Sequence, residues 1–188
     1  MTIEDFERIA KFAEVDSEAF TLEFINGRLR DKVLPDGDHA TIQEWLARRC
    51  MTERPGWGLH GRLLGLKVGK NREGRARPDG TLAPAGNFAG QGEWAAPEGV
   101  LMTAEITAYD VGSNRRDREE RPSVYASTGI PLHLIIDRAA RTVTVFSEPD
   151  LNLGGYRVEC TVKFGRKLVL PAPVAIELDT EELKQYVR

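Results

Sequence analysis

Asp79, in Ala76-Arg77-Pro78-Asp79-Gly80, and Glu105, in Val100-Leu101-Met102-Thr103-Ala104-Glu105-Ile106-Thr107, are carboxylates at strand positions where a plain core would carry Val or Ile. An ionised carboxylate inside an apolar strand is costly unless a cation compensates it, and one shared hard divalent metal compensates two of them most simply. Such a site suits Mg2+ or Mn2+, which prefer carboxylate and water oxygens to nitrogen and sulfur. The pairing is therefore the reason to expect metal-dependent chemistry, of which phosphodiester hydrolysis is one kind. That reaction needs a water made nucleophilic near neutral pH, a cation on the charge developing at phosphorus, and a stabilised leaving oxygen. Each carboxylate also has a plainer role open to it: Pro-Asp-Gly is a turn signature, and Glu105 could face water from an edge strand.

Positive charge flanks both residues. Lys67, Lys70, Arg72, Arg75 and Arg77 lead into Asp79, and Arg115, Arg116, Arg118 and Arg121 follow Glu105. Such runs are ordinarily solvated or ion-paired surface. Their functional use would be to position phosphates, with affinity that falls with salt and carries little sequence information. Candidates for that role are Lys67, Lys70, Arg75, Arg77 and Arg118.

The elements that must hold these residues read as mixed α/β. Ile3, Phe6, Ile9, Ala10 and Ala13 recur at helical spacing, predicting a helix over about 3–14. A hairpin follows, with strands over 20–25 and 28–34 around an Asn26-Gly27 turn. A second helix is expected from Asp38, its N-cap, to about Thr52, closed by Pro55-Gly56. Strands are expected over 58–60 and 63–68, at 81–83 continuing from Asp79, and over 100–107, with the Gly/Ala/Pro-rich stretch 84–99 a long loop. A helix then ends near Thr128-Gly129. Leu132–Asp137 reads as a buried strand, 141–146 and 156–162 alternate like half-exposed antiparallel strands, and Asp179–Lys184 resembles a capped terminal helix.

Composition narrows the function class. With 188 residues, 41% of them hydrophobic, the chain can fill one core and reads as a single domain over 1–188. A net charge of −3 and a pI near 5.7 mean that any nucleic-acid contact must come from a local basic patch. Two distant cysteines, Cys50 and Cys160, suit a reducing cytoplasm rather than a disulfide framework. The acidic, amphipathic start does not read as a secretory signal, no window approaches a membrane span, and three scattered histidines give no zinc-type cluster.

Arg77-Pro78-Asp79, then Glu105 ending an apolar run, then Asp117-Arg118, Arg121-Pro122 and Tyr125-Ala126, then Gly129-Ile130-Pro131 and Leu134-Ile135-Ile136-Asp137 together resemble the Uma-two family of restriction-endonuclease-like proteins. The resemblance covers most of the chain, takes in Glu23 with Asn26-Gly27 and also His39, and is nearest to actinobacterial versions. It implies the restriction-endonuclease-like fold of the PD-(D/E)-x-K nucleases, a mixed central sheet flanked by helices. It also implies a nucleic-acid substrate, DNA favoured over RNA, and, by analogy with nucleases that cut two strands, a homodimer. Asp79 and Glu105 become metal ligands with the Ile106 carbonyl as a third, and Glu23, His39 and Asp117 line the site. Glu23 and His39 have other places open to them, on an exposed hairpin face and at a helix start.

One departure bears on activity. The superfamily places a lysine two residues beyond the Glu, where this chain has Thr107. The Uma-two family resembles a version with that lysine moved to the following helix, and here that position is Arg121. A guanidinium can hold a phosphate and offset charge, but its pKa excludes it as a general base. Arg121 shares a helix face with Val124, Tyr125 and Thr128, which would aim it at the sheet; if the helix began at Pro122 it would instead be a cap. Two functions follow: a metal-dependent endonuclease, or a nuclease-fold module that binds nucleic acid or protein and has lost the reaction.

Overall fold

The computed structural model describes residues 1–16, 21–32, 34–107, 109 and 111–187, and side chains within these except at 14–16, 111–117 and 119. The chain begins with α1 (Ile3–Asp16), the hairpin β1 (Thr21–Ile25) and β2 (Arg28–Lys32), and α2 (Gly37–Glu53). Short strands follow: β3 (Trp57–His60), β4 (Gly65–Val68), β5 (Gly74–Ala76), β6 (Gly80–Pro84), β7 (Trp94–Ala95) and β8 (Met102–Ile106). Next come α3 (Val111–Thr128), β9 (Leu132–Asp137), β10 (Thr142–Asp150), β11 (Gly155–Lys163), β12 (Lys167–Leu170) and β13 (Ile176–Asp179). A 3-10 turn, Glu181–Gln185, stands where a terminal helix is predicted.

The fold is mixed α/β, but its strands divide between two principal sheets. One has six strands in the order β11-β10-β9-β8-β6-β3, antiparallel except for the parallel pair β8–β9. The other has the order β2-β1-β5-β4-β7, and β12–β13 form a separate ribbon. The parallel β8–β9 pair requires a crossover, which α3 supplies.

Alternation along β8 assigns its two faces. Met102, Ala104 and Ile106 join Ile42, Trp45, Leu46 and Cys50 of α2 in the main core, which β12 and β13 close with Leu168, Leu170, Ile176 and Leu178. Thr103 and Glu105 are buried on the opposite face. There a second core of Ile25, Leu66, Val68 and Ala76 packs against Val124, Tyr125 and Ile130 of α3 and its exit. α1 covers the hairpin sheet from outside, with Phe6 stacked on Phe24 at 5.4 Å between ring centroids.

The hairpin turns as its residues demand: Asn26 (φ 51°) and Gly27 (φ 73°) take the two positive φ values of a type I′ turn. Phe20 and Val33, expected in its strands, lie outside the described residues. The N-cap of α2 is Asp36 rather than Asp38, because Asp36 Oδ1 accepts from the His39 N–H at 2.8 Å and satisfies a first-turn donor. α3 begins well before Pro122, which sits inside it, so Arg121 is no cap. Among the described residues no helix is long and apolar enough to cross a membrane.

Candidate active site

Between β5 and β6 the chain passes from one principal sheet to the other through Arg77-Pro78-Asp79. Asp79 therefore precedes β6, at the crossover, instead of lying inside a strand. The antiparallel β6–β8 register pairs Gly80 with Ala104 and Thr81 with Thr103. Extended by one residue, it sets Asp79 opposite Glu105, and directly opposed residues share a sheet face. Both are buried.

Each carboxylate has one oxygen anchored by the protein and the other turned to a common point. Asp79 Oδ2 accepts from the Ile106 N–H at 2.9 Å and lies 3.1 Å from His39 Nε2. Glu105 Oε1 accepts from the Tyr125 hydroxyl at 2.7 Å and lies 3.0 Å from Arg121 Nη1. The remaining oxygens, Asp79 Oδ1 and Glu105 Oε2, lie 2.9 and 3.0 Å from a single nitrogen, Lys32 Nζ. That ammonium also donates to the Arg77 carbonyl at 2.5 Å. Asp79 Oδ1 is buried, and the Lys32 ammonium is the cation against it.

Glu23 completes the cluster from β1. Arg121 grips it with both ends of the guanidinium, Nη2–Oε2 at 2.8 Å and Nη1–Oε1 at 3.1 Å, and the Arg77 N–H donates to Oε1 at 2.6 Å. Arg121 and Tyr125, one helical turn apart on α3, thus reach the sheet together. Among the described residues three carboxylates (Glu23, Asp79, Glu105) face two permanent cations (Lys32, Arg121), with the His39 ring beside Asp79.

The protonation states follow from this crowding. Burial would raise Asp79, but the Lys32 ammonium, the His39 hydrogen bond and the Ile106 N–H hold it well below the ordinary carboxylate range. Burial would likewise raise Glu23; Arg121 first and then Lys32 bring it below its ordinary value. Burial pulls Lys32 down, and Asp79 and Glu105 more than reverse that, so it is raised and stays charged. Burial and the Glu105 charge push the Tyr125 hydroxyl well above its ordinary range, which keeps it a donor to Glu105.

Of the residues singled out from sequence, Asp79, Glu105, Arg121, Glu23, His39 and the Ile106 backbone meet here. Glu23 is not on an exposed hairpin face but 1% exposed, because β1 lies under α3. His39 does not cap α2, since Asp36 does so by accepting from the His39 N–H; its ring lies 3.1 Å from Asp79 Oδ2. The phosphate-binding set does not assemble. Arg75 is buried against Glu7 at 2.6 Å, and Arg77 against Glu93 at 2.5 Å with its guanidinium 4.4 Å from the Trp94 ring centroid. Neither presents its charge to solvent, whereas Lys70 is exposed and Lys67 half-buried. Arg118 is exposed and pairs with Asp137. The Asp117 side chain lies outside the described residues.

Lys32 and Tyr125 are the residues whose place at the site sequence reasoning missed. A faint signal for Lys32 was present, since Arg28, Arg30 and Lys32 alternate along β2 and so share one face. That face meets α3, where Arg30 pairs with Glu120 at 3.0 Å, and the site.

Asp79 Oδ1, Glu105 Oε2 and a backbone oxygen are a donor set that fits a hard divalent ion. Among the described residues no three His, Cys, Asp or Glu side chains are grouped to hold a metal, and the backbone candidate for a third ligand is the Ile106 carbonyl. An extended residue sends its N–H and C=O toward the same neighbouring strand, so the Ile106 carbonyl leaves β8 on the edge where its N–H meets Asp79.

Comparison with known proteins agrees with this architecture. A crystal structure of a putative nuclease belonging to DUF820 from Anabaena variabilis ATCC 29413 superposes with a TM-score of 0.70 at 15% sequence identity, covering 99% of this chain and 98% of that one. No curated protein matches the chain. The family profile of Uma2, described as putative restriction endonuclease, matches residues 3–181. The chain belongs to the Uma2 family.

Proposed function

We propose that this protein is a divalent-metal-dependent endonuclease, one domain acting on nucleic acid with DNA as the favoured substrate. The observation that carries this is the convergence of Asp79 Oδ1 and Glu105 Oε2 on one cation position. Asp79, Glu105 and the Ile106 carbonyl would hold Mg2+ or Mn2+, which when bound polarises a phosphoryl oxygen and acidifies a water.

The chain's own groups do the rest. His39 and the Ile106 N–H fix Asp79, while Tyr125 and Arg121 fix Glu105, so neither carboxylate reorients as charge builds. Hydrolysis forms a bond from water oxygen to phosphorus and breaks the bond from phosphorus to one sugar oxygen. One proton leaves the water for solvent, and the departing oxygen takes one from solvent. Arg121 is confined to charge stabilisation, since it is held by Glu23 and Glu105 and cannot release a proton. Lys67, Lys70 and Arg118 remain for phosphate contacts at the surface. A homodimer would present two such sites to two strands.

The test is cleavage of supercoiled plasmid and of single-stranded DNA and RNA with Mg2+ or Mn2+. Wild-type cleavage abolished by Asp79→Asn and by Glu105→Gln supports the endonuclease. Metal-independent binding with no cleavage by any variant means that the fold serves as a binding module.

A further inference from the structure

We infer that Lys32, on the hairpin strand β2, performs the part that the nuclease fold otherwise gives to a lysine beside Glu105 or on the following helix. The inference rests on the endonuclease function proposed above and adds to it a residue for which neither family position accounts.

Geometry separates Lys32 from the other described cations near the site. Arg121 is bound in the plane of Glu23, and His39 sits on the anchored oxygen of Asp79. Arg75 and Arg77 point away to Glu7 and Glu93. Lys32 alone among the described residues brings its charge to the inward oxygens of both carboxylates. Its side chain is 8% exposed, and its ammonium has an oxygen on each of three sides, from Asp79, Glu105 and Arg77.

A buried ammonium in such a cradle is a weak device for stability, because removing charges from water offsets much of the attraction regained. It is well suited to chemistry. With a divalent ion drawn to the same two carboxylates, the ammonium stays beside them on a flexible stem and is directed at the attacking water and a phosphoryl oxygen. There it hydrogen-bonds the water as the oxygen–phosphorus bond forms and offsets the added negative charge. Water's proton goes to solvent and the leaving oxygen is protonated from solvent, so Lys32 ends the cycle unchanged. The role enters from β2 on Glu105 Oε2, whereas Arg121 of α3 meets Glu105 Oε1, which explains how an arginine at 121 is tolerated. Arg121 instead ties Glu23 to Glu105 across the same cluster.

The experiment compares full-length wild type, Lys32→Met, Lys32→Arg and the double variant Lys32→Met with Arg121→Lys. Each is assayed for plasmid cleavage with Mg2+ or Mn2+, for Mn2+ binding by calorimetry and for folding by circular dichroism. Lys32→Met is expected to lower kcat about 100-fold or more with little change in KM, the scale of losing one charge-stabilising donor. Mn2+ binding is expected to be retained. Restoring a helix lysine in the double variant is expected to recover at least about tenfold in kcat over Lys32→Met, since Arg121 already reaches Glu105. A purely structural lysine would give no such rescue.

Cleavage by Lys32→Met at or above the wild-type rate overturns the inference and makes Lys32 a mere competitor for the metal position. If Lys32→Met fails to fold, Lys32→Arg keeps the charge and carries the comparison. A kcat at least about tenfold down supports the role, because a guanidinium overfills the three-oxygen cradle, and a wild-type kcat overturns it. Wild-type protein that cleaves nothing with either metal overturns the endonuclease function itself, and the role of Lys32 with it.

Discussion

Replacing Arg121 by Met should be among the most destabilising single changes available outside the apolar core. The guanidinium makes two hydrogen bonds to Glu23 and a 3.0 Å contact with Glu105, with 9% of its side chain exposed against 1% for each partner. Removing it leaves two buried carboxylates with Lys32 as the remaining permanent cation among the described residues. Loss of one partner from a buried pair costs about 3–5 kcal/mol, against about 0–1 kcal/mol for an exposed pair such as Arg48–Glu182. In urea, followed by the fluorescence of Trp45, Trp57 and Trp94, a slope of about 2 kcal/mol/M turns that loss into a midpoint about 2 M lower. Arg121→Lys keeps the charge but loses the two-pronged grip, and should fall between. Glu23→Leu combined with Arg121→Met removes the charge along with its partner, and should recover most of the loss. A cost below about 1 kcal/mol for Arg121→Met, with no recovery in the double variant, would refute the electrostatic account of this cluster.

Three further outcomes are expected. Tyr125→Phe removes the 2.7 Å donor to Glu105, which should cost about 1.5–3 kcal/mol in urea unfolding and lower cleavage without abolishing it. His133 is buried beside Tyr125, and burial, aided by the Arg121 charge, lowers it to about 3. The unfolded chain therefore gains a proton below about 6.5 that the folded one refuses, and stability should fall by up to about 1.4 kcal/mol per pH unit as pH drops from that value toward 3. Equilibrium unfolding between pH 7 and about 5.5, above the ordinary carboxylate values at which the unfolded chain begins to protonate, should show this slope in wild type and lose it in His133→Asn. Burial pushes the Cys50 thiol up to about 12, while Cys160 is exposed, so a colorimetric thiol reagent should titrate one cysteine natively and two in denaturant.

The site was legible where its signal was local. Asp79 and Glu105 stood out because carboxylates interrupt apolar runs, and the Arg121–Tyr125 face because residues four apart on a helix align. The arginines leading to Asp79 misled for a related reason. A run of positive charge reads as surface, yet β5 and the crossover carry Arg75 and Arg77 inward to acidic partners 68 and 16 residues away in the chain. The cap of α2 moved by two residues because Asp36 and Asp38 carry the same cap chemistry, and only the backbone path selects between them. The short strands β5, β7, β12 and β13 escaped notice, β7 lying inside the stretch 84–99 expected as a loop, because they are held by pairing partners more than by pattern.

Residue order by itself determined the helices, the Asn26-Gly27 hairpin, the central apolar strands and the two carboxylates, because periodicity, turn chemistry and the cost of buried charge all act over a few neighbours. The tertiary structure decided that these strands form two principal sheets, and that the chain crosses between them at Asp79. It also decided that Lys32 arrives at the same place from the hairpin. The alternation of Arg28, Arg30 and Lys32 along β2 places the lysine on one face but does not separate it from the other two cations. Its place beside the two carboxylates follows from the docking of β1 on β5, which swings the end of β2 over Asp79 and Glu105.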